Sequence, residues 1–146
     1  MKREPIKILL AEDNEDDIVL VKEVLEDSDM LKLVRVVRDG EEALAYLRRK
    51  GEFIDADQPG LVILDINMPK KNGFEVLDEL KSDPKLCQIP VVMLTVTSRD
   101  EEVVKAYSKG ACSFISKPVD FEEFQTVMAQ FALYWTQVAL IPKQAK

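Results

Sequence analysis

Five short apolar runs, separated by longer stretches of helical periodicity, restrict this chain to a small set of folds. The runs are Ile6–Ala11, Leu33–Val37, Leu61–Leu64, Pro90–Leu94 and Cys112–Ile115. Three of them are almost unbroken Val, Ile, Leu and Met, the composition of strands covered on both faces. Four intervening segments carry helix-spaced apolar residues: Ile18, Val21, Val24 and Leu25; Ala43, Leu44 and Leu47; Phe74, Leu77 and Leu80; Val103, Val104 and Tyr107. The fifth and longest carries Phe124, Val127, Met128, Phe131, Trp135 and Val138 on one face. Punctuation agrees with this division. Asp39-Gly40 opens the second helix, Ser82-Asp83-Pro84 ends the third, Gly110 follows the fourth, and Asp120 suits the N-cap of the fifth. Crossovers this short imply an α/β fold, a doubly wound five-stranded parallel sheet with helices on both faces. Gly51 to Gly60 reads as the one long loop.

With 146 residues, a single domain is expected, large enough to fold without disulfides or a structural metal. Cys87 and Cys112 have no CxxC spacing and read as reduced thiols of a cytoplasmic protein. A net charge of -7 argues against a nucleic-acid partner. No apolar run approaches the roughly 18 residues of a membrane span, and the stretch after Met1-Lys2-Arg3-Glu4-Pro5 is too short and interrupted for a signal peptide. The chain contains no histidine. That excludes a Ser-His-Asp triad, an HExxH zinc site and a phosphohistidine carried by this chain itself. Its chemistry must run on carboxylates, hydroxyls and lysine.

Open parallel sheets bind ligands beyond the C-terminal ends of their strands. The first strand ends in Glu12-Asp13 and the third in Asp65, so three carboxylates converge on one edge. Unneutralised, they repel one another and favour protonation of at least one. A hard divalent cation such as Mg²⁺ removes that conflict. The fourth strand ends in Thr95 and the fifth is followed by Lys117-Pro118. A hydroxyl, an ammonium and a cation at one edge match the needs of a transferred phosphoryl group, whose charge spreads over three oxygens. Pro118 stiffens the backbone just past Lys117, with a cis Lys117-Pro118 peptide as one way to aim the lysine inward.

Taken together, Glu12-Asp13, Asp65 within Leu64-Asp65-Ile66-Asn67-Met68-Pro69, Gly73, Thr95 and Lys117-Pro118 resemble the signature of bacterial response-regulator receiver domains over residues 6 to 135. The resemblance implies a flavodoxin-like receiver fold with strand order 2-1-3-4-5, and a receiver over residues 1–140 followed by a tail, 141–146. It implies phosphorylation of Asp65 by a partner sensor histidine kinase. It implies Mg²⁺ held by Asp13, Asp65 and the backbone carbonyl of Asn67, with Glu12 acting through water. Asp65, Lys117 and Thr95 would then form the reactive set, Lys117 pairing with the phosphoryl oxygens. Thr95 and Phe114 would act as the switch, changing the surface of the fourth helix, fifth strand and fifth helix. On this reading the chain is a signalling protein rather than an enzyme, with intrinsic self-phosphorylation and slow self-dephosphorylation. From its place on an alternating strand alone, Phe114 reads equally as a side chain packed under a helix.

One position departs from the family pattern. Val96 stands where a small residue is usual, which narrows access to Asp65. Thr97 and Asn67 are candidates for setting the lifetime of the phosphoryl group. Within the family, Tyr46-Leu47-Arg48-Arg49-Lys50-Gly51, Pro69-Lys70-Lys71-Asn72-Gly73 and Tyr134-Trp135-Thr136-Gln137-Val138 are similar to single-domain regulators of phytochrome-type histidine kinases. That subgroup implies a homodimer through the last helix and strand. Phe131 and Trp135 then serve the core, leaving Leu133, Tyr134, Leu140 and Ile141 for a second patch, and no output domain is expected after them. The basic run Arg48-Arg49-Lys50 reads as a solvated helix end. Two other classes fit less well. A flavin protein needs a phosphate-cradling loop where this chain has Glu12-Asp13-Asn14-Glu15-Asp16-Asp17. An aspartyl-phosphate phosphatase needs an acid where this chain has Asn67.

Overall fold

A computed structural model describes residues 4–96 and 99–142. The strands are β1 (Ile6–Ala11), β2 (Leu31–Val37), β3 (Leu61–Leu64), β4 (Val91–Thr95) and β5 (Ser113–Ser116). Between and after them run α1 (Glu15–Glu26), α2 (Gly40–Leu47), α3 (Gly73–Ser82), α4 (Asp100–Ser108) and α5 (Phe121–Leu133). All neighbouring strands pair in parallel, in the order β2-β1-β3-β4-β5. This is the doubly wound fold expected from the alternation. Every residue of β3 and β4 is buried, which explains their lack of polar alternation.

Two apolar clusters fill the faces of the sheet. Leu9, Val62, Leu64 and Met93 point to one side, against Leu44 and Leu47 of α2 and Leu77 and Leu80 of α3. Ile8, Leu10, Ile63 and Leu94 point to the other, against Val21 and Leu25 of α1 and Phe124, Met128 and Phe131 of α5. Side-chain caps start the helices where the sequence placed them: Asp39 accepts from the Glu42 N–H and Asp120 from the Glu122 N–H.

Three expectations need correction. Val103, Val104 and Tyr107 do not form a buried face of α4, where Ala106 is the buried residue while Val104 is 64% and Tyr107 50% exposed. Polar and cation–ring contacts tie the helix to α3 and to β5 instead. Lys105 sits 4.4 Å over the Phe74 ring, Lys109 reaches Asp78 at 2.9 Å, and the Tyr107 hydroxyl accepts the Phe114 N–H. The last helix does not continue regularly to Val138. Tyr134–Val138 form a π-helical turn that keeps Trp135 buried but leaves Val138 exposed. The Gly51 to Gly60 stretch contains a 3₁₀ turn, Gly51–Phe53, because Phe53 is buried against Tyr46. Among the described residues, no helix is long and apolar enough to cross a membrane.

Candidate functional site

The strand order reverses between β1 and β3, and the crevice beyond these two strands gathers the acids. The Glu12 N–H donates to the Val37 carbonyl at 2.9 Å and the Asp65 N–H to the Ala11 carbonyl at 3.0 Å. The sheet ladder therefore continues into the site and holds both residues at its rim. One carboxylate oxygen from each of Glu12, Asp13 and Asp65 lies within 4.8 Å of the others. Glu12 and Asp65 are buried, whereas Asp13 faces solvent. Three hard oxygen donors this close, one of them open to water, suit a divalent cation with room for further ligands.

Opposite them stands Lys117. Its backbone N–H donates to the Thr95 carbonyl at 2.6 Å, extending the β4–β5 ladder past both strands. The Lys117–Pro118 peptide is trans, so the cis alternative is withdrawn. The buried ammonium donates to Glu12 and, at 2.8 Å, to Asp17, and lies 3.6 Å from an Asp65 oxygen. Burial pushes Glu12 up to about 7 against the hydrogen bond from Lys117, and the nearby Asp65 charge adds to the rise. Burial also opposes the charge on Lys117, but its bonds to Asp17 and Glu12 win and hold its proton more firmly than usual.

Asp17 was not singled out in the sequence. It lies in the acidic first turn of α1 with Glu15 and Asp16, where acids are common because they complement the helix dipole. Its N–H is held by the Asn14 cap at 3.0 Å, which turns its carboxylate toward Lys117.

Thr95 is fully buried, and its Oγ1 has no hydrogen-bond partner among the described residues. Such a hydroxyl is costly unless something completes it. Val96 beside it is exposed. Thr97 lies outside the described residues. Asn67 is exposed, and its N–H reaches the other Asp65 oxygen at a long 3.4 Å. The segment from Asp65 to Gly73 is closed by the Gly73 N–H on the Ile66 carbonyl at 2.8 Å. A Cβ at position 73 would stand 2.3 Å from the carbonyl oxygen of Asp65 itself, so only glycine permits this closure. Phe114 lies apart from the acids, half-buried against the cluster beneath α2 and α3.

A family profile described as the response regulator receiver domain matches residues 8–129. The chain belongs to the response regulator receiver family. Response regulator Rcp1 of Synechocystis sp. is 35% identical to this receiver over 138 residues, 94% of each chain. The solved Mn²⁺-bound form of Rcp1 superposes with a TM-score of 0.91 at 34% identity, covering 95% of this chain and 100% of that one. The phosphorylated cyanobacterial phytochrome response regulator RcpA gives a TM-score of 0.91 at 40% identity, over 95% and 99% of the two chains. The bacteriophytochrome response regulator AtBRR gives 0.71 at 37%, over 97% and 100%. The receiver described here is thus a signalling domain homologous to phytochrome response regulators, and its acid cluster lies where the fold expects a ligand.

Proposed function

We propose that this receiver takes a phosphoryl group from a phosphohistidine of a sensor histidine kinase onto Asp65. One observation carries this reading: Lys117 faces three carboxylates at the strand ends beside a buried, unpartnered Thr95 hydroxyl. An Asp65 oxygen attacks phosphorus, a P–O bond forms, and the P–N bond to the donor imidazole breaks with its electron pair leaving on nitrogen. Glu12, Asp13, Asp65 and the backbone carbonyl of Asn67 are the residues that would hold Mg²⁺. When bound, it supplies positive charge against the oxygens of the incoming group. Lys117 leaves Asp17 and Glu12 to pair with one phosphoryl oxygen, and Thr95 donates to another. Phe114 follows Thr95, and the surface of α4, β5 and α5 changes with it. Self-phosphorylation from small donors and slow self-hydrolysis follow from the same arrangement.

The kinase proposed is of the phytochrome type, as RcpA and AtBRR are phytochrome response regulators. A cytoplasmic location accords with free Cys87 and Cys112. Residues 1–140 are taken as one receiver unit and 141–146 as its tail, although Ile141 packs back onto the core rather than joining an outer patch. Leu133, Tyr134 and Leu140 are exposed, which supports a homodimer through the last helix and strand.

Intact mass after incubation with acetyl phosphate and Mg²⁺ tests phosphotransfer. One added phosphoryl group on the wild type and none on Asp65→Asn is expected, and equal modification of both proteins would refute the assignment. Light scattering tests the dimer, which Leu133→Glu with Tyr134→Glu should convert to a monomer. An unchanged mass would move the interface elsewhere.

A further inference from the structure

At the opposite end of the sheet, where β3 and β4 begin, lies a cleft of about 660 Å³ that the phosphoryl chemistry does not use. On a chain of net charge -7 it is lined by Arg48, Arg49, Lys50 and Lys85 against a single acid, Asp83. Arg48 is engaged by Glu79 at 3.1 Å, and an Asp83 oxygen accepts the Lys85 N–H at 2.9 Å. Arg49, Lys50 and Lys85 are exposed and have no ion-pair partner among the described residues. The rest of the lining sets an apolar wall of Leu47, Leu86, Ile89 and three prolines beside the side-chain amides of Gln58 and Gln88.

Arg49 supplies a second, independent observation. The helix α2 ends with the Lys50 N–H on the Ala45 carbonyl at 2.9 Å and the Arg49 N–H on the Tyr46 carbonyl at 3.1 Å. This motif needs its central residue in the left-handed region, where glycine is usual. Here that residue is Arg49, with φ 55°. A residue with a Cβ in this region costs stability that glycine would not. What the arginine adds there is a cation at the rim of the cleft.

We infer that this cleft binds a small amphiphilic anion, an aromatic or aliphatic body carrying a carboxylate, sulfonate or phosphate. Its volume falls within the roughly 300–1,000 Å³ of small-molecule pockets. The apolar walls take the body of the ligand, while Arg49, Lys50 and Lys85 meet its charge. The site is separate from the Asp65 rim and independent of the function proposed above.

The test is a fluorescence titration of the full chain with 1-anilinonaphthalene-8-sulfonate, with amide chemical shifts locating the probe. Neutral N-phenyl-1-naphthylamine and inorganic phosphate serve as controls for each half of the ligand. One saturable site is expected, with shifts confined to residues 47–50, 58–60 and 85–90, and neither control should bind comparably. Arg49→Gly is the decisive variant, because it relieves the backbone while removing the charge. It should raise the thermal midpoint yet weaken probe binding about tenfold, the effect of one lost charged contact. Asp65→Asn should bind the probe as the wild type does. Unchanged binding by Arg49→Gly, shifts elsewhere on the molecule, or phosphate alone binding as tightly as the probe would each overturn the inference.

Discussion

Lys117 lies 3.6 Å from Asp65, yet its hydrogen bonds go to Glu12 and Asp17. The ammonium is therefore parked beside the proposed phosphoacceptor rather than committed to it. A reaction that needs Lys117 on a phosphoryl oxygen must first loosen those two bonds.

Replacing Asp17 by Asn removes the charge of one competing partner without changing its size. Phosphorylation of Asp65 by acetyl phosphate should then proceed roughly fivefold faster, the equivalent of about 1 kcal/mol for a partly exposed ion pair. Rates followed by intact mass at fixed Mg²⁺ would show it, and a slower variant would mean that Asp17 orients Lys117 for the reaction.

Glu12 provides a pH signature. Its folded value of about 7 exceeds the 4.5 of a free side chain, so the native state holds a proton that the unfolded chain releases. Its contribution to stability is complete below pH 4.5 and is lost as the pH rises through about 7. Denaturant unfolding in chelator should therefore show Glu12→Gln gaining on the wild type across that window and not beyond it. Parallel curves for the two proteins would contradict the burial of a reluctant carboxylate.

Gly73 is expected to be irreplaceable. The 2.3 Å approach of an added Cβ to the Asp65 carbonyl, and 2.9 Å to the Ile66 Cα, involves backbone that cannot swing aside. Gly73→Ala should cost ~2–3 kcal/mol of stability, as overpacking does, and displace Asp65 from the other acids. Lowered Mg²⁺ affinity together with a lowered unfolding midpoint is the expected pair of results. Normal affinity in the variant would show that the segment adapts.

Thr95 separates stability from response. Its buried Oγ1 has no partner among the described residues, so Thr95→Val should leave the unphosphorylated fold as stable or up to about 1 kcal/mol more stable. Amide shifts in α4 and β5 on addition of beryllofluoride should shrink or vanish in the same variant. A full response without the hydroxyl would remove Thr95 from the switch.

Much of this architecture is legible in the sequence because strands buried on both faces cannot hide their composition. Leu61–Leu64 and Ile6–Ala11 are found to the residue. Glu12, Asp13, Asp65, Thr95 and Lys117 are legible for a related reason: polar residues ending such strands must lie at the rim of the sheet. Asp17 is not legible, because an acid in the first turn of a helix has an ordinary local explanation and Lys117 lies far along the chain. The fourth helix misleads because apolar spacing marks a face without saying what covers it. Val104 and Tyr107 have that spacing and remain exposed. The π turn at Tyr134–Val138 is invisible for a different reason, since its residues follow the same periodicity as the regular helix before it.

Paramagnetic broadening by Mn²⁺ in the ¹⁵N-labelled protein, competed by Mg²⁺, tests most directly whether the converging carboxylates form a cation site. Broadening should begin at Glu12, Asp13, Asp65 and Asn67, spread to Lys117, spare the far end of the sheet around Trp135, and disappear in Asp13→Asn. Broadening centred elsewhere, or unchanged in that variant, would contradict the account.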